Sequence, residues 1–464
     1  MRVHFNGAAQ TVTGSQYLLE VNGSRVLMEC GLFQGRREET YSRNLTFQFD
    51  PKSIAAVLLS HAHIDHSGNL PHLVKNGYSG PIHATAATAD LADILLRDSG
   101  HIQEADAEFV NKKNAERGRP PVEPLYTLAD AEQVDQYFQP KNYNQPFEVV
   151  PGLSAEFIEA GHILGSAAIR LEVEEKGRKT RLWFSGDIGR RGLPILRDPV
   201  LPSGVDYLMM ESTYGDKPHS DPEEAHREFH AVVLRTLGRG GKVIIPAFAV
   251  GRTQELVYSL NQLVGSGRLT HVPVYVDSPL AIQASQIFER HPECYDAETL
   301  QFIRTRKHPA LEFDGLKYVQ SVEESKALNN MKEPMIIISA SGMAEAGRIL
   351  HHLKNNIENP RNSILIVGWQ APDTLGRRLA DREPTVRIFG EEYRVRAEMV
   401  TIGGLSAHAG QDMLTEYALA VKDMVKEVIL VHGETDAASA LENRLSAGGI
   451  QRVVYPDLYS VLDL

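Results

Sequence analysis

Six consecutive residues, His61-Ala62-His63-Ile64-Asp65-His66, constrain this chain more than any other stretch. The apolar run from Ile54 to Leu59 reads as a buried strand, so the six occupy the loop leaving a strand end. In extended backbone His61 and His63, two apart, point the same way, and the following turn can aim Asp65 and His66 at a neighbouring position. Three imidazoles and a carboxylate so close together suit two metal ions rather than one. The plain alternative is a polar loop capping the next helix. Four polar groups crowded at a strand end have little structural use, however, unless something binds them.

At 464 residues the chain exceeds what one hydrophobic core usually fills, which points to two domains or one domain with a large insertion. Charged residues make up 23% and hydrophobic residues 42%, far from a disordered composition. No apolar run approaches roughly 18 residues and no basic-then-apolar leader precedes the first strand. Neither a membrane span nor a secretory signal is therefore expected, and the expected location is the cytoplasm. Cys30 and Cys294 form no Cys-x-x-Cys pair and read as reduced, buried thiols, so metal must come from His and Asp. The net charge of −12 argues against a broad basic face for duplex binding. A cleft that gathers metal ions and a few arginines can still be locally positive on an acidic body.

The first strands read as Arg2-Val-His-Phe-Asn, Ser15 to Val21 and, after an Asn22-Gly23 turn, Ser24 to Glu29, so no appended N-terminal module is expected. Glu29 either buttresses a ligand from the histidine loop or forms a strand-end salt bridge. Residues 85 to 118 read as an exposed helix. A pattern then recurs in which a short apolar strand delivers an ionisable residue at or just past its end. Leu153 onward leads to His162, Thr180 onward to Asp187, Asp206 onward to Glu211, Met399 onward to His408, and Glu427 onward to His432. Between about 216 and 395 the runs Lys242 to Pro246, His271 to Val276, Pro334 to Ile338 and Ser363 to Val367 read as buried parallel strands alternating with helices, an inserted α/β domain. Its strand-to-helix turns, Gly251-Arg252-Thr253, Asp277-Ser278-Pro279, Ser339-Ala340-Ser341-Gly342 and Gly368-Trp369-Gln370, are ordinary caps or phosphate-holding turns. His226 with His230, and His351 with His352, read as solvated helix faces.

Together His61, His63, Asp65, His66, His162, Asp187 and His432 are enough for two metal ions with one carboxylate bridging. Imidazole-rich, thiolate-free ligation suits Zn²⁺ first, with Mn²⁺ or Fe as alternatives. Two divalent ions, two aspartates and a bridging hydroxide leave a charge of about +1, which favours an anionic substrate such as a phosphodiester and makes the hydroxide the natural nucleophile.

The ordered set His61-Ala-His-Ile-Asp-His66, Gly161-His162, Ser185-Gly186-Asp187, Glu211-Ser-Thr-Tyr-Gly215, Ser406-Ala-His408-Ala409 and Val431-His432-Gly433 resembles the motifs of the metallo-β-lactamase superfamily, specifically its β-CASP nuclease branch. The resemblance runs nearly end to end. It implies an αββα metallo-β-lactamase sandwich over residues 1–215 and 396–464, with a parallel-sheet β-CASP domain inserted over 216–395. It implies that His61, His63 and His162 hold one zinc, that Asp65, His66 and His432 hold the other, and that Asp187 bridges. Glu211 and His408 match two further motifs of the branch, in which the acid is paired with a histidine that protonates the leaving oxygen; Asp65, Glu211 and His408 are the catalytic candidates. The inserted domain would act as a lid whose Arg252, Ser339, Ser341 and Arg377 clamp phosphates. His432 is similar to RNA-cutting members, whereas DNA-repair members tend to carry Val there. Relatives usually have Asp where this chain has Glu29.

The expected activity is zinc-dependent cleavage of single-stranded RNA, leaving a 5′-phosphate and a 3′-hydroxyl, by a stand-alone enzyme for which the family leaves a homodimer open. Endonucleolytic and 5′-exonucleolytic action both fit. The alternatives are a DNA nuclease, a dinuclear hydrolase of small esters or thioesters, and an RNA-binding scaffold with a dead site. Small-ester hydrolysis needs neither the Glu211 and His408 pair nor a large insertion, and a dead scaffold would have lost ligands that are all occupied here.

Overall fold

The computed structural model describes residues 1–464 apart from 36, 220, 271, 306–309, 369 and 372, with the backbone only at 37 and 38. The expected strand start at His271 and the middle of the turn at Trp369 lie outside the described residues. The chain divides into two compact units. One comprises Met1–Arg191, Asp198–Pro218 and His408–Leu464, and the other Gly192–Arg197 and His219–Ala407.

The first unit is built on two sheets, each of seven strands among the described residues. In one the order is Val461–Asp463, Arg2–Phe5, Tyr17–Val21, Ser24–Met28, Ala56–Leu58, Ile82–Ala84 and Phe138–Pro140. Its N-terminal strands are antiparallel, and from Ser24–Met28 onward the pairing is parallel. In the other the order is Val453–Val454, Glu427–Val431, Tyr207–Glu211, Arg178–Phe184, Ala167–Glu175, Leu153–Glu159 and Phe147–Val150. Alternate residues of each sheet (Val3 and Phe5, Tyr17 and Leu19, Val26 and Met28, facing Ile169 and Leu171, Phe184, Met209 and Ile429) interleave into one core. The Tyr17 and Phe184 rings meet edge-on at 5.5 Å across it. The outer face of the second sheet, at Trp183, Leu208 and Met210, is covered by Leu414 and Tyr417 of the helix Gln411–Leu419 and Leu441 of the helix Thr435–Ala447. On the other side the helix Ala86–Glu116 packs against Phe138–Pro140. The result is the expected αββα sandwich.

The second unit carries a sheet of six parallel strands among the described residues, in the order Leu316–Tyr318, Val274–Val276, Ile336–Ser339, Val243–Pro246, Ser363–Ile366 and Glu398–Thr401. Every residue of its central strands is buried, which is why they read as unbroken apolar runs and not as alternating ones. Two boundaries differ from the expected ones. Glu398–Thr401 pairs in parallel with Ser363–Ile366, so this unit runs past 395 to Ala407. Gly192–Arg197 also joins it, through Ile195 O accepting from Asp296 N at 2.9 Å and Arg197 Nε donating to Tyr295 O at 3.2 Å.

Three of the four helix-borne histidines are corrected, while His351 is exposed as expected. His226 and His230 do not face solvent freely, because both rings bond the Ser259 hydroxyl, at 3.0 and 2.8 Å, between the helices Pro222–Gly238 and Arg252–Gly265. His352 is fully buried, with Nε2 at 2.6 Å from Asp277 Oδ2 and Nδ1 at 3.0 Å from Asn329 Oδ1. Its neighbours Ile349 and Leu353 mark the inward face of that helix. Among the described residues, no helix is long and apolar enough to cross a membrane.

Candidate metal centre

Every residue of the expected metal set lies in the first unit, on loops at strand ends or, for Asp65 and His66, on the short helix that follows one. The strand Ala56–Leu58 runs through buried Leu59 and Ser60 into His61, and a short helix, Ile64–Ser67, starts after His63. This loop is pinned from behind: Ser15 N and Leu32 N donate to the Asp65 and Ile64 carbonyls, at 2.8 and 2.9 Å, and Cys30 N donates to the His66 carbonyl at 2.8 Å. Gly31 has to be glycine, since a Cβ there would lie 1.7 Å from the Asp65 carbonyl oxygen. His162, Asp187, Glu211 and His432 follow or end strands of the second sheet. Tyr207–Glu211 and Glu427–Val431 run side by side, so Glu211 and His432 emerge at the same edge.

The side chains converge in two groups. His63 Nδ1 lies 3.1 Å from His61 Nε2 and 3.2 Å from His162 Nε2, and Asp187 Oδ2 lies 3.5 Å from each of the latter two atoms. In the second group His66 Nε2 is 3.2 Å from His432 Nε2, which is 3.4 Å from Asp65 Oδ2. The other oxygen of Asp187, Oδ1, faces this group, 3.3 Å from His66 Nε2 and 3.6 Å from His432 Nδ1. Four donors around a zinc ion at roughly 2.0–2.1 Å stand about 3.3 Å apart, which is the spacing seen. Hydrogen bonding explains it less well, because a single proton on His63 Nδ1 can serve only one of the two nitrogens facing it. Asp187 Oδ1 is buried without a hydrogen bond. The residues fit a metal centre.

The hydrogen bonds behind the rings support the same reading. The Ser60 hydroxyl donates to Glu29 Oε2 at 2.9 Å and so accepts from His61 Nδ1 at 3.0 Å. Glu29 Oε2 also receives His66 Nδ1, at 2.5 Å, and Oε1 receives Ser60 N at 2.7 Å. One carboxylate thereby sets two rings with their Nε2 lone pairs turned inward. Of the two roles read for Glu29 the buttress holds, because the carboxylate is fully buried and its partners are Ser60 and His66. Thr213 does the same for His432: its hydroxyl donates to the His432 carbonyl at 3.0 Å and lies 3.1 Å from Nδ1. His432 itself sits at a left-handed φ of 47°. Burial pushes His63 down to about 4 and His61 and His162 well below the usual imidazole range, the neutral state that ligation requires; burial lowers His66 too, but Asp187 and Glu29 raise it well above that range. Burial opposes ionisation of Asp187, but His432, His66 and His61 hold it well below the usual carboxylate range.

Beside this centre, His408 Nδ1 stands 3.2 Å from Glu211 Oε2 and 3.9 Å from Asp187 Oδ2. Burial alone would lower the His408 pKa, but the charge of Glu211, its hydrogen bond, and Asp187 and Asp65 together raise it to about 9. Glu211 is fully buried and fixed in turn by Ile188 N at 2.5 Å.

The four expected phosphate contacts lie in the second unit and fare differently. Arg252 is buried and ion-paired with Glu255, and Ser339 is buried with its hydroxyl donated to the Asp277 carbonyl at 2.8 Å. Both have partners within the unit, the cation in Glu255 and the hydroxyl in the Asp277 carbonyl. Ser341 and Arg377 keep access to solvent, Ser341 accepting from Glu345 N at 3.2 Å and Arg377 paired with Asp381 at 2.8 Å. Sequence reading missed Ser60 and Thr213, whose only signal is a hydroxyl adjacent to a ligand motif.

Three family models match the chain: the metallo-beta-lactamase superfamily over residues 10–237, the Beta-Casp domain over 253–379, and the Zn-dependent metallo-hydrolase RNA specificity domain over 392–456. The chain is 40% identical over 450 residues to Ribonuclease TTHA0252 of Thermus thermophilus, covering 97% of both proteins. It is 31% identical over 437 residues to an RNase J-like protein of Methanocaldococcus jannaschii, covering 93% of this chain and 92% of that one. To transcription termination factor FttA of Methanothermobacter thermautotrophicus it is 32% identical over 451 residues, covering 94% of this chain and 68% of that one. A crystal structure of a protein of unknown function from Enterococcus faecalis shares the fold, with a TM-score of 0.59 and 13% identity over 100% of this chain and 99% of that one. With a relative this similar along its whole length, and with models for both parts of the architecture in the expected order, the chain belongs to the metallo-β-lactamase superfamily and, within it, to the branch that carries a β-CASP domain.

Proposed function

We propose that the chain is a metal-dependent ribonuclease that hydrolyses phosphodiester bonds of single-stranded RNA in the cytoplasm with two zinc ions. The observation that carries this reading is one buried carboxylate, Asp187, touching both groups of metal-spaced donors and lying beside a histidine poised as an acid. His61, His63 and His162 would hold one ion and Asp65, His66 and His432 the other, with Asp187 within reach of both groups. Bound there, the ions supply Lewis acidity toward the phosphate and a water acidic enough to attack at neutral pH.

The remaining steps fall to side chains. His408, kept protonated by Glu211, gives its proton to the ribose 3′-oxygen as the P–O3′ bond breaks, leaving a 5′-phosphate and a 3′-hydroxyl. Solvent then restores the proton. Asp65 turns its carboxylate toward His432 and adds negative charge that favours the His408 imidazolium. Ser341 and Arg377, the two expected phosphate contacts with solvent access, touch the RNA backbone. Relatives named as a ribonuclease and as RNase J-like, and a matched domain named for RNA specificity, support the substrate class.

The test is digestion of single-stranded RNA, single-stranded DNA and an acyl thioester by zinc-loaded protein, with linear and circular RNA compared. Faster cleavage of RNA than of DNA or thioester supports the reading; preference for the thioester refutes it. Cutting of circles identifies endonucleolytic action.

A further inference from the structure

In the second unit, one aromatic ring is held out of the core by design of its surroundings. Phe248 lies in the loop between the strand Val243–Pro246 and the helix Arg252–Gly265 and is 50% exposed, while Ala247, Ala249 and Val250 around it are buried. The loop is firmly bonded. Thr253 Oγ1 donates to the Phe248 carbonyl at 2.8 Å, Gln254 Nε2 to the Ala249 carbonyl at 3.1 Å, and Ala247 N to the Ser339 carbonyl at 3.1 Å. The backbone that carries the ring is therefore held in place on both sides.

Single exposed apolar residues are common and need no explanation. Gly342 sets this one apart. It lies in the loop that follows the neighbouring strand Ile336–Ser339, is buried, and lacks the left-handed φ that usually calls for glycine. A Cβ on Gly342 would meet Phe248 ring atoms at 2.8, 2.9 and 3.0 Å, and these are its three nearest atoms. The missing side chain at 342 makes room for the Phe248 ring, and Ser341, with its access to solvent, is the next residue along.

We propose that Phe248, backed by Gly342, is a stacking platform for one unpaired base of the RNA. The proposal rests on the ribonuclease reading. An exposed aromatic face on a well-bonded loop is what a nucleobase stacks on, and it serves any base because every base has a π-face. A neighbouring hydroxyl such as Ser341 suits the backbone of the same nucleotide.

The test is steady-state cleavage of a short single-stranded RNA by full-length, zinc-loaded protein. Phe248→Ala and Phe248→Leu are expected to lower kcat/KM roughly 5- to 100-fold, mainly through KM, and Phe248→Trp to keep it near the parent value. Gly342→Ala, which displaces the ring, is expected to copy Phe248→Ala. Oligomers with a single abasic residue, moved one position at a time, localise the contact. At one position the abasic substrate costs the parent protein as much as Phe248→Ala does, and the two losses are not additive. Parent-like kinetics of Phe248→Ala and Phe248→Leu on RNA that the parent cleaves, or losses additive with the abasic residue at every position, overturn the platform alone. A parent protein that does not cleave RNA overturns both readings.

Discussion

Replacing Glu211 with Gln isolates what the carboxylate does for His408. The amide has the same shape and can still accept the Ile188 N–H, so the pocket keeps its form while the charge beside the imidazole is lost. In the parent, burial lowers the His408 pKa but Glu211 is the largest influence raising it, and the outcome is about 9 against an ordinary 6.5. A histidine near 9 is about 90% protonated at pH 8, whereas one near 6.5 is about 3% protonated. If His408 is the general acid, Glu211→Gln should therefore lose on the order of 30-fold in kcat at pH 8 and only a small factor near pH 6. Positive charge from bound metal acts on both proteins alike, so it shifts both profiles and leaves the direction of their difference unchanged. The assay is the pH dependence of kcat from about pH 5.5 to 9.5 on a fluorescent RNA oligomer. A variant whose profile parallels the parent at every pH, merely scaled down, would show that Glu211 does not act through the protonation of His408.

His408→Ala should retain both metals by elemental analysis yet lose roughly 10²- to 10⁴-fold in turnover; loss of zinc would instead make it a ligand. Thr213→Val removes the hydroxyl that accepts His432 Nδ1–H, so metal affinity of the second group should fall roughly 10- to 100-fold in a competition titration, while Thr213→Ser stays near the parent. Glu398 is partly buried, which opposes its ionisation, but Arg235, Arg239 and Ser363 hold its pKa at about 2, below its ordinary 4.5. Because the folded value is depressed, its stabilisation is complete above about pH 4.5 and disappears as pH falls toward 2. With partial exposure discounted, Glu398→Gln should cost roughly 1–2 kcal/mol at pH 7 and progressively less below pH 4.5, by urea denaturation.

The sequence made the strand-end chemistry legible because a metal centre draws its ligands from short, ionisable motifs that stand out against apolar strands. His61 to His66, His162, Asp187 and His432 all converge, and the buried parallel strands Val243–Pro246 and Ile336–Ser339 were visible as continuous apolar runs. What stayed hidden has a common cause: it depends on pairings between distant residues. Nothing local to Glu398–Thr401 says that it will add to the sheet at Ser363–Ile366, so the insert ended too early. Nothing beside Ser339 says that its hydroxyl will meet the Asp277 carbonyl, nor beside His352 that Asp277 will bury it. Ser60 and Thr213 escaped for the same reason, since a hydroxyl becomes a support for a ligand only once the ring it orients has arrived from elsewhere in the chain.

The proposed chemistry depends most on two metal ions sharing Asp187. Anomalous scattering at the zinc edge from crystals of zinc-loaded protein tests this directly. Two peaks are predicted, one among His61, His63 and His162 and one among Asp65, His66 and His432, with Asp187 in contact with both. A single peak, or none beside Asp187, would contradict a shared two-metal centre.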